Sequence, residues 1–158
     1  MSSLQGQTAL ITGGGSGIGL ACAAHLARDG AAVVLAGRSA EKLEAAAAGL
    51  RATDAEVHTV VCDVTDEAQV AAACEQSAAV GRFTMVVANA GSGSATPLHL
   101  TTLDDWNSVM ATNLTGAFLT IKHSAVHLAR AGGGAIVAIS SIAAPRTHRY
   151  MTPYCVSK

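Results

Sequence analysis

The sequence predicts an α/β protein, a parallel sheet of five strands doubly wound between two helix layers. Two observations predict it. Short apolar runs alternate with longer segments of good helix formers from Thr8 to Ile139, the pattern of strands joined by right-handed helical crossovers. Glycine and polar clusters also fall just past the strand ends, at Gly13 to Gly19, Arg38, Asp63, Asn89 and Ser141. Open parallel sheets bind ligands beyond those carboxyl ends.

The first strand is expected over residues 8–12. It runs into Thr12-Gly13-Gly14-Gly15-Ser16-Gly17-Ile18-Gly19, and a helix follows over about 17–29. Glycine is costly inside an element, but between a strand and a helix it permits a sharp turn. It also lets a phosphate reach the unpaired amides of the helix start. The spacing is G-x-x-x-G-x-G, neither G-x-G-x-x-G nor a triphosphate P-loop. We expect a strand–turn–helix that holds a pyrophosphate, with Gly13, Gly15, Ser16, Gly17, Ile18 and Gly19 around it.

Gly30 is the expected stop of that helix. A strand over 32–36, apolar on both faces, suits a sheet covered on both sides. Ser39 is positioned to cap a helix over 40–51. A third strand covers 57–62, and Thr65 or Asp66 caps a helix to Val80. A fourth strand, 85–88, leads into Asn89-Ala90-Gly91. After a small-residue loop, Thr101 or Thr102 opens one long helix through Ala129. Leu114, Phe118, Ile121, Ala125 and Leu128 recur at helical spacing and are read as its buried stripe. Gly132-Gly133-Gly134 ends it, and an apolar fifth strand covers 135–139.

Composition narrows the function classes. The 158 residues are 50% hydrophobic and 13% charged, with net charge −1, which argues against disorder and gives no basic footprint for nucleic acid. There is no run long enough to span a membrane and no signal-peptide pattern, so a cytoplasmic setting is expected. Cys22, Cys62, Cys74 and Cys155 form no C-x-x-C and read as small hydrophobes. His123 and His127 stand at i, i+4 without a glutamate or third ligand, so no metal is expected.

Two clusters point to chemistry. Arg38 lies about twenty residues past the glycine turn, where an arginine accommodates a ribose 2′-phosphate and an acid would take the free 2′-hydroxyl. With Ser39 beside it, the expected cofactor is NADP(H) in preference to NAD(H). Ser16 leaves the glycine loop without a second cation. The other cluster is Ser141 with Tyr154-x-x-x-Lys158. On a helix, Lys158 shares a face with Tyr154. A free phenol titrates near pH 10, and an adjacent ammonium favours the phenolate, so the pair can exchange a proton with a substrate oxygen.

Together these residues resemble the short-chain dehydrogenase/reductase family. The resemblance rests on Thr12-Gly13-x-x-x-Gly17-Ile18-Gly19, Asp63-Val64, Asn89-Ala90-Gly91, Asn113, Ile139-Ser140-Ser141 and Tyr154-x-x-x-Lys158. It implies a Rossmann-type sheet in three layers and an oxidoreductase interconverting a small alcohol and its carbonyl compound. Asp63 and Val64 would meet the adenine, and Asn89, Ala90 and Gly91 would support the sheet beside the cofactor. Asn113, Ser141, Tyr154 and Lys158 would form the catalytic tetrad, with Asn113 holding a water that feeds Lys158. A homotetramer or homodimer is implied. Family chains run longer, so residues 1–158 read as one NAD(P)-binding domain incomplete at its C-terminus. The alternative is a nucleotide-binding or assembly module without turnover.

Overall fold

The computed structural model describes residues 3–158. Five strands, β1 (Gln7–Thr12), β2 (Ala32–Gly37), β3 (Val57–Val61), β4 (Arg82–Ala88) and β5 (Ala135–Ala138), form one sheet in the order β3-β2-β1-β4-β5. Every pairing is parallel. The order reverses between β1 and β4, so the crevice of a doubly wound sheet opens above those two strand ends.

Helices α1 (Gly17–Arg28) and α2 (Ala40–Arg51) cover one face, where Ala23, Leu43 and Ala47 meet Ala9, Ile11, Val33 and Leu35. Helices α3 (Glu67–Val80) and α5 (Gly116–Arg130) cover the other, packing Val70, Cys74, Leu119 and Leu128 on Leu10, Val34, Ala36 and Val86. The predicted three layers and five strands are present. Burial pushes the thiols of Cys62 and Cys74 up to about 11 and about 12, so both sit in the core as neutral hydrophobes.

The predicted helix starts hold at atomic detail. Ser39 Oγ accepts from the Lys42 amide, Asp66 accepts from Ala68 and Gln69, and Thr102 accepts from Asp105. Gly30, at φ +95°, follows α1 in the left-handed region that an L side chain disfavours. β4 starts three residues earlier than its apolar run, because Arg82 and Phe83 pair with Gln7 and Thr8 before a register shift.

The long helix differs from expectation in two ways. It is α4 (Leu103–Met110), a π-helical turn (Ala111–Thr115) and α5 in succession. A π turn inserts a residue and frees a side chain from the helical lattice, and this one carries Asn113. Its buried face is also not the predicted stripe. Leu114 and Phe118 are 51% and 58% exposed, Ile121 and Ala125 are exposed, and only Leu128 of the five is buried. The residues turned inward are Gly116, Leu119, Thr120, Ser124 and Leu128. Small residues win there because α5 lies close to its neighbours: a Cβ at Gly116 would stand 2.6 Å from Val64 Cγ2. The two hydroxyls donate to the carbonyls of Gly116 and Thr120, so their burial leaves no unpaired group.

β5 is an edge strand, with Val137 52% exposed. Among the described residues, no helix is long and apolar enough to cross a membrane.

Candidate cofactor cleft and catalytic cluster

Above the β1/β4 junction, Thr12 and Asn89 fasten the two strand ends. Asn89 Nδ2 donates to the carbonyls of Thr12 at 3.0 Å and Gly13 at 3.3 Å. Thr12 Oγ1 accepts from the amides of Asn89 and Ala90 and donates to the Val87 carbonyl. The glycine turn passes against this staple. Gly13 and Gly17 hold φ of +67° and +54°. A Cβ at Gly19 would lie 2.5 Å from Gly13 O and 2.6 Å from Asn89 Nδ2. The glycines therefore let α1 start directly beneath the crevice with its amides facing it.

Three adjoining cavities run along the strand ends. One of about 230 Å³ lies between the glycine turn and the start of α2, lined by Gly15, Ser16, Arg38, Ser39 and Lys42. The next, about 140 Å³, shares Gly13 and Arg38 with it and adds Cys62, Asp63, Val64, Ala90 and Gly91. The third, about 280 Å³, shares Gly91 and adds Ile18, Asn89, Ser92, Ser140, Tyr154 and Lys158. A chain of cavities from a guanidinium, over a helix start, to a phenol and an amine fits an extended dinucleotide.

Asp63 is held as a carboxylate. Hydrogen bonds from the amide and hydroxyl of Thr65, at 2.9 and 2.8 Å, pull its pKa below the usual carboxylate value, and Arg38 adds to the effect. Val64 is buried against Gly116 at the start of α5.

At the far end the chain Gly91-Ser92-Gly93 threads between side chains from the π turn and from the last helical segment. The Asn113 amide is gripped by Ser92, whose N–H donates to Oδ1 at 2.7 Å and whose carbonyl accepts from Nδ2 at 2.8 Å. A Cβ at Gly91 would lie 3.3 Å from Lys158 Nζ and 3.4 Å from Asn113 Oδ1, and one at Gly93 would touch the Tyr154 ring at 3.4 Å. Lys158 Nζ stands 5.9 Å from the centroid of the Tyr154 ring and donates to the Ile139 carbonyl. Tyr154 belongs to α6 (Thr152–Ser157), which begins after Tyr150 at φ +67°.

Asn113, Tyr154 and Lys158 thus come together. Ser141 follows the cavity-lining Ser140; its hydroxyl accepts from the Ala143 amide, and among the described residues no hydrogen bond links it to Tyr154. Ser140 donates to the Lys158 carbonyl.

Three contributors escaped the sequence reading. Ser157, 7% exposed, accepts from Asn113 Nδ2 at 2.8 Å and donates to the Tyr154 carbonyl at 2.9 Å, tying α6 to the π turn. Ser92 fixes the amide through its backbone, which no side-chain pattern encodes. Lys42 was legible only as one turn beyond Arg38. His123 hydrogen-bonds the Glu67 carboxylate, and His127 lies 6.0 Å from the Phe83 ring.

The profile described as short chain dehydrogenase matches residues 7–158. D-threitol dehydrogenase of Mycolicibacterium smegmatis is 40% identical over 156 residues, covering 98% of this chain and 60% of the relative. Among solved structures, NAD+-bound xylitol dehydrogenase superposes with a TM-score of 0.95 at 34% identity, over 99% of this chain and 61% of that one. A gluconate 5-dehydrogenase from Burkholderia cenocepacia, in complex with NADP and tartrate, gives 0.91 at 38% identity, over 98% and 61%. The chain therefore spans about 60% of the length of these relatives.

Proposed function

The chain belongs to the short chain dehydrogenase family, and from that premise we propose that the protein moves hydride between NADP(H) and a small alcohol or its carbonyl compound. The observation that carries this reading is the convergence of Tyr154, Lys158 and Asn113 at one end of a cleft whose other end is Arg38. When bound, the nicotinamide supplies or takes up the hydride. In reduction the substrate carbon gains that hydride, and the carbonyl oxygen gains a proton from the Tyr154 hydroxyl. The products are an alcohol and a phenolate. Lys158 lowers the cost of that phenolate through its positive charge. Its ammonium also returns the proton, with Asn113 holding the water that resupplies it. Ser141 is assigned to the substrate oxygen. Oxidation runs the same transfers backwards.

At the other end, the glycine turn and the start of α1 receive the diphosphate, Asp63 and Val64 the adenine, and Arg38 with Ser39 the 2′-phosphate. Both NAD and NADP occur among the structural neighbours; Arg38 tips the reading to NADP(H). A second copy of the chain is the expected occupant of the apolar face left by Leu114, Phe118 and Ile121.

The test is NADPH oxidation with a panel of ketones, on the complete protein and on Tyr154→Phe. Loss of roughly a hundred- to ten-thousandfold in turnover, with NADPH affinity kept, is expected for an acid–base residue. Undiminished turnover in the variant contradicts the assignment; binding without turnover in both proteins favours the non-catalytic module.

A further inference from the structure

We propose that Lys42, on the first turn of α2, is a second cation for the cofactor's 2′-phosphate and carries much of the discrimination between NADP(H) and NAD(H). The inference rests on the NADP(H) reading above and adds a residue to it.

The cavity between the glycine turn and α2 is lined by two cations, Arg38 and Lys42, and two hydroxyls, Ser16 and Ser39, with no carboxylate among its lining residues. That composition suits a dianionic phosphate monoester. Arg38 is not wholly committed to this cavity. It also lines the neighbouring one, and its charge acts on the Asp63 carboxylate there. Lys42 borders only the phosphate-sized space, and among the described residues neither it nor Arg38 forms a salt bridge.

Local structure places the lysine at this cavity. Ser39 caps α2 by accepting the Lys42 amide at 3.3 Å, which fixes the first turn against the cavity. Because Ser39 Oγ accepts there, its proton remains free to donate to an anion. Arg38 and Lys42 are four residues apart across the cap, and both line this cavity, one from the strand end and one from the helix. An ammonium on a flexible stem can close on a phosphate as a point charge where a planar fork is shared with another partner. The absence of a basic residue at position 16 is thus offset from the opposite wall of the cavity.

Calorimetric titration of the complete protein with 2′,5′-ADP, 5′-ADP and inorganic phosphate reads this directly, without turnover. The wild type is expected to prefer 2′,5′-ADP. In Lys42→Ala that preference falls by about tenfold, the scale of one charge-assisted hydrogen bond at a partly solvated site, while 5′-ADP binds as before. Lys42→Arg keeps the preference, and added salt weakens 2′,5′-ADP more in the wild type than in Lys42→Ala. If the wild type prefers 2′,5′-ADP and Lys42→Ala preserves the preference, the lysine assignment is wrong and the NADP(H) reading stands on Arg38. No preference in the wild type overturns both. Equal weakening of 2′,5′-ADP and 5′-ADP in Lys42→Ala makes the residue a structural one and overturns the inference. Phosphate alone binding as tightly as 2′,5′-ADP identifies a free-anion site and overturns it too.

Discussion

Gly19 and Gly49 both sit in helices, yet the structure demands glycine at only one of them. A Cβ at Gly19 would collide with the Gly13 carbonyl and the Asn89 amide, whereas one at Gly49 meets nothing within 4 Å. Gly19→Ala should therefore push α1 away from the strand ends, costing about 1–3 kcal/mol as an overpacked site, and weaken cofactor binding with it. Gly49→Ala should stabilise the protein by about 0.5–1 kcal/mol, since alanine has less chain entropy to lose in an exposed helix interior. Urea unfolding of the two variants checks the pair, and a loss at Gly49 equal to that at Gly19 would contradict this account of the turn. The G-x-x-x-G-x-G spacing gave the place of the turn and its phosphate role as an expectation. The reason for Gly19 became visible only once Asn89, seventy residues away in the chain, was seen to reach across to β1.

At the scale of elements, α5 shows where pattern reading succeeds and fails. Its existence and its glycine stop were legible, as were the caps of α2, α3 and α4, because these depend on neighbours within a few residues. Its buried face was not. Apolar periodicity marked Leu114, Phe118, Ile121 and Ala125, but the close approach of α5 to Val64 and the strands beneath takes Gly116, Thr120 and Ser124, whose hydroxyls are satisfied within the helix. The π turn was equally hidden: Asn113 entered only through the family resemblance, inside what read as one continuous helix, and its place became clear from Ser92 and Ser157. Leu119→Ala should cost about 2–5 kcal/mol, as a buried leucine truncation does, while Phe118→Ser should leave the subunit's own stability within about 0.5 kcal/mol. Denaturant unfolding measures the contrast, and size-exclusion chromatography with light scattering shows whether Phe118→Ser alters self-association. A large loss of subunit stability at Phe118 would restore the apolar stripe as the core face.

For the molecule as a whole, the sheet order fixes everything downstream. Reversal between β1 and β4 opens the crevice, the ends of β1, β2, β3 and β4 place the glycine turn, Arg38, Asp63 and Asn89 along it, and the segment after β5 brings Tyr154 and Lys158 to its far end. No single element contains the site. The central claim is that a dinucleotide lies across these strand ends with its adenosine at Arg38 and Lys42 and its reactive ring at Tyr154. A crystal structure of the complete protein with NADPH and a ketone tests it most directly. The account predicts the diphosphate over the Gly13 to Gly19 turn and the Tyr154 hydroxyl within about 2.6–3.2 Å of the substrate oxygen, the reach of proton transfer. A diphosphate held away from that turn, or a nicotinamide ring turned away from Tyr154, would contradict it.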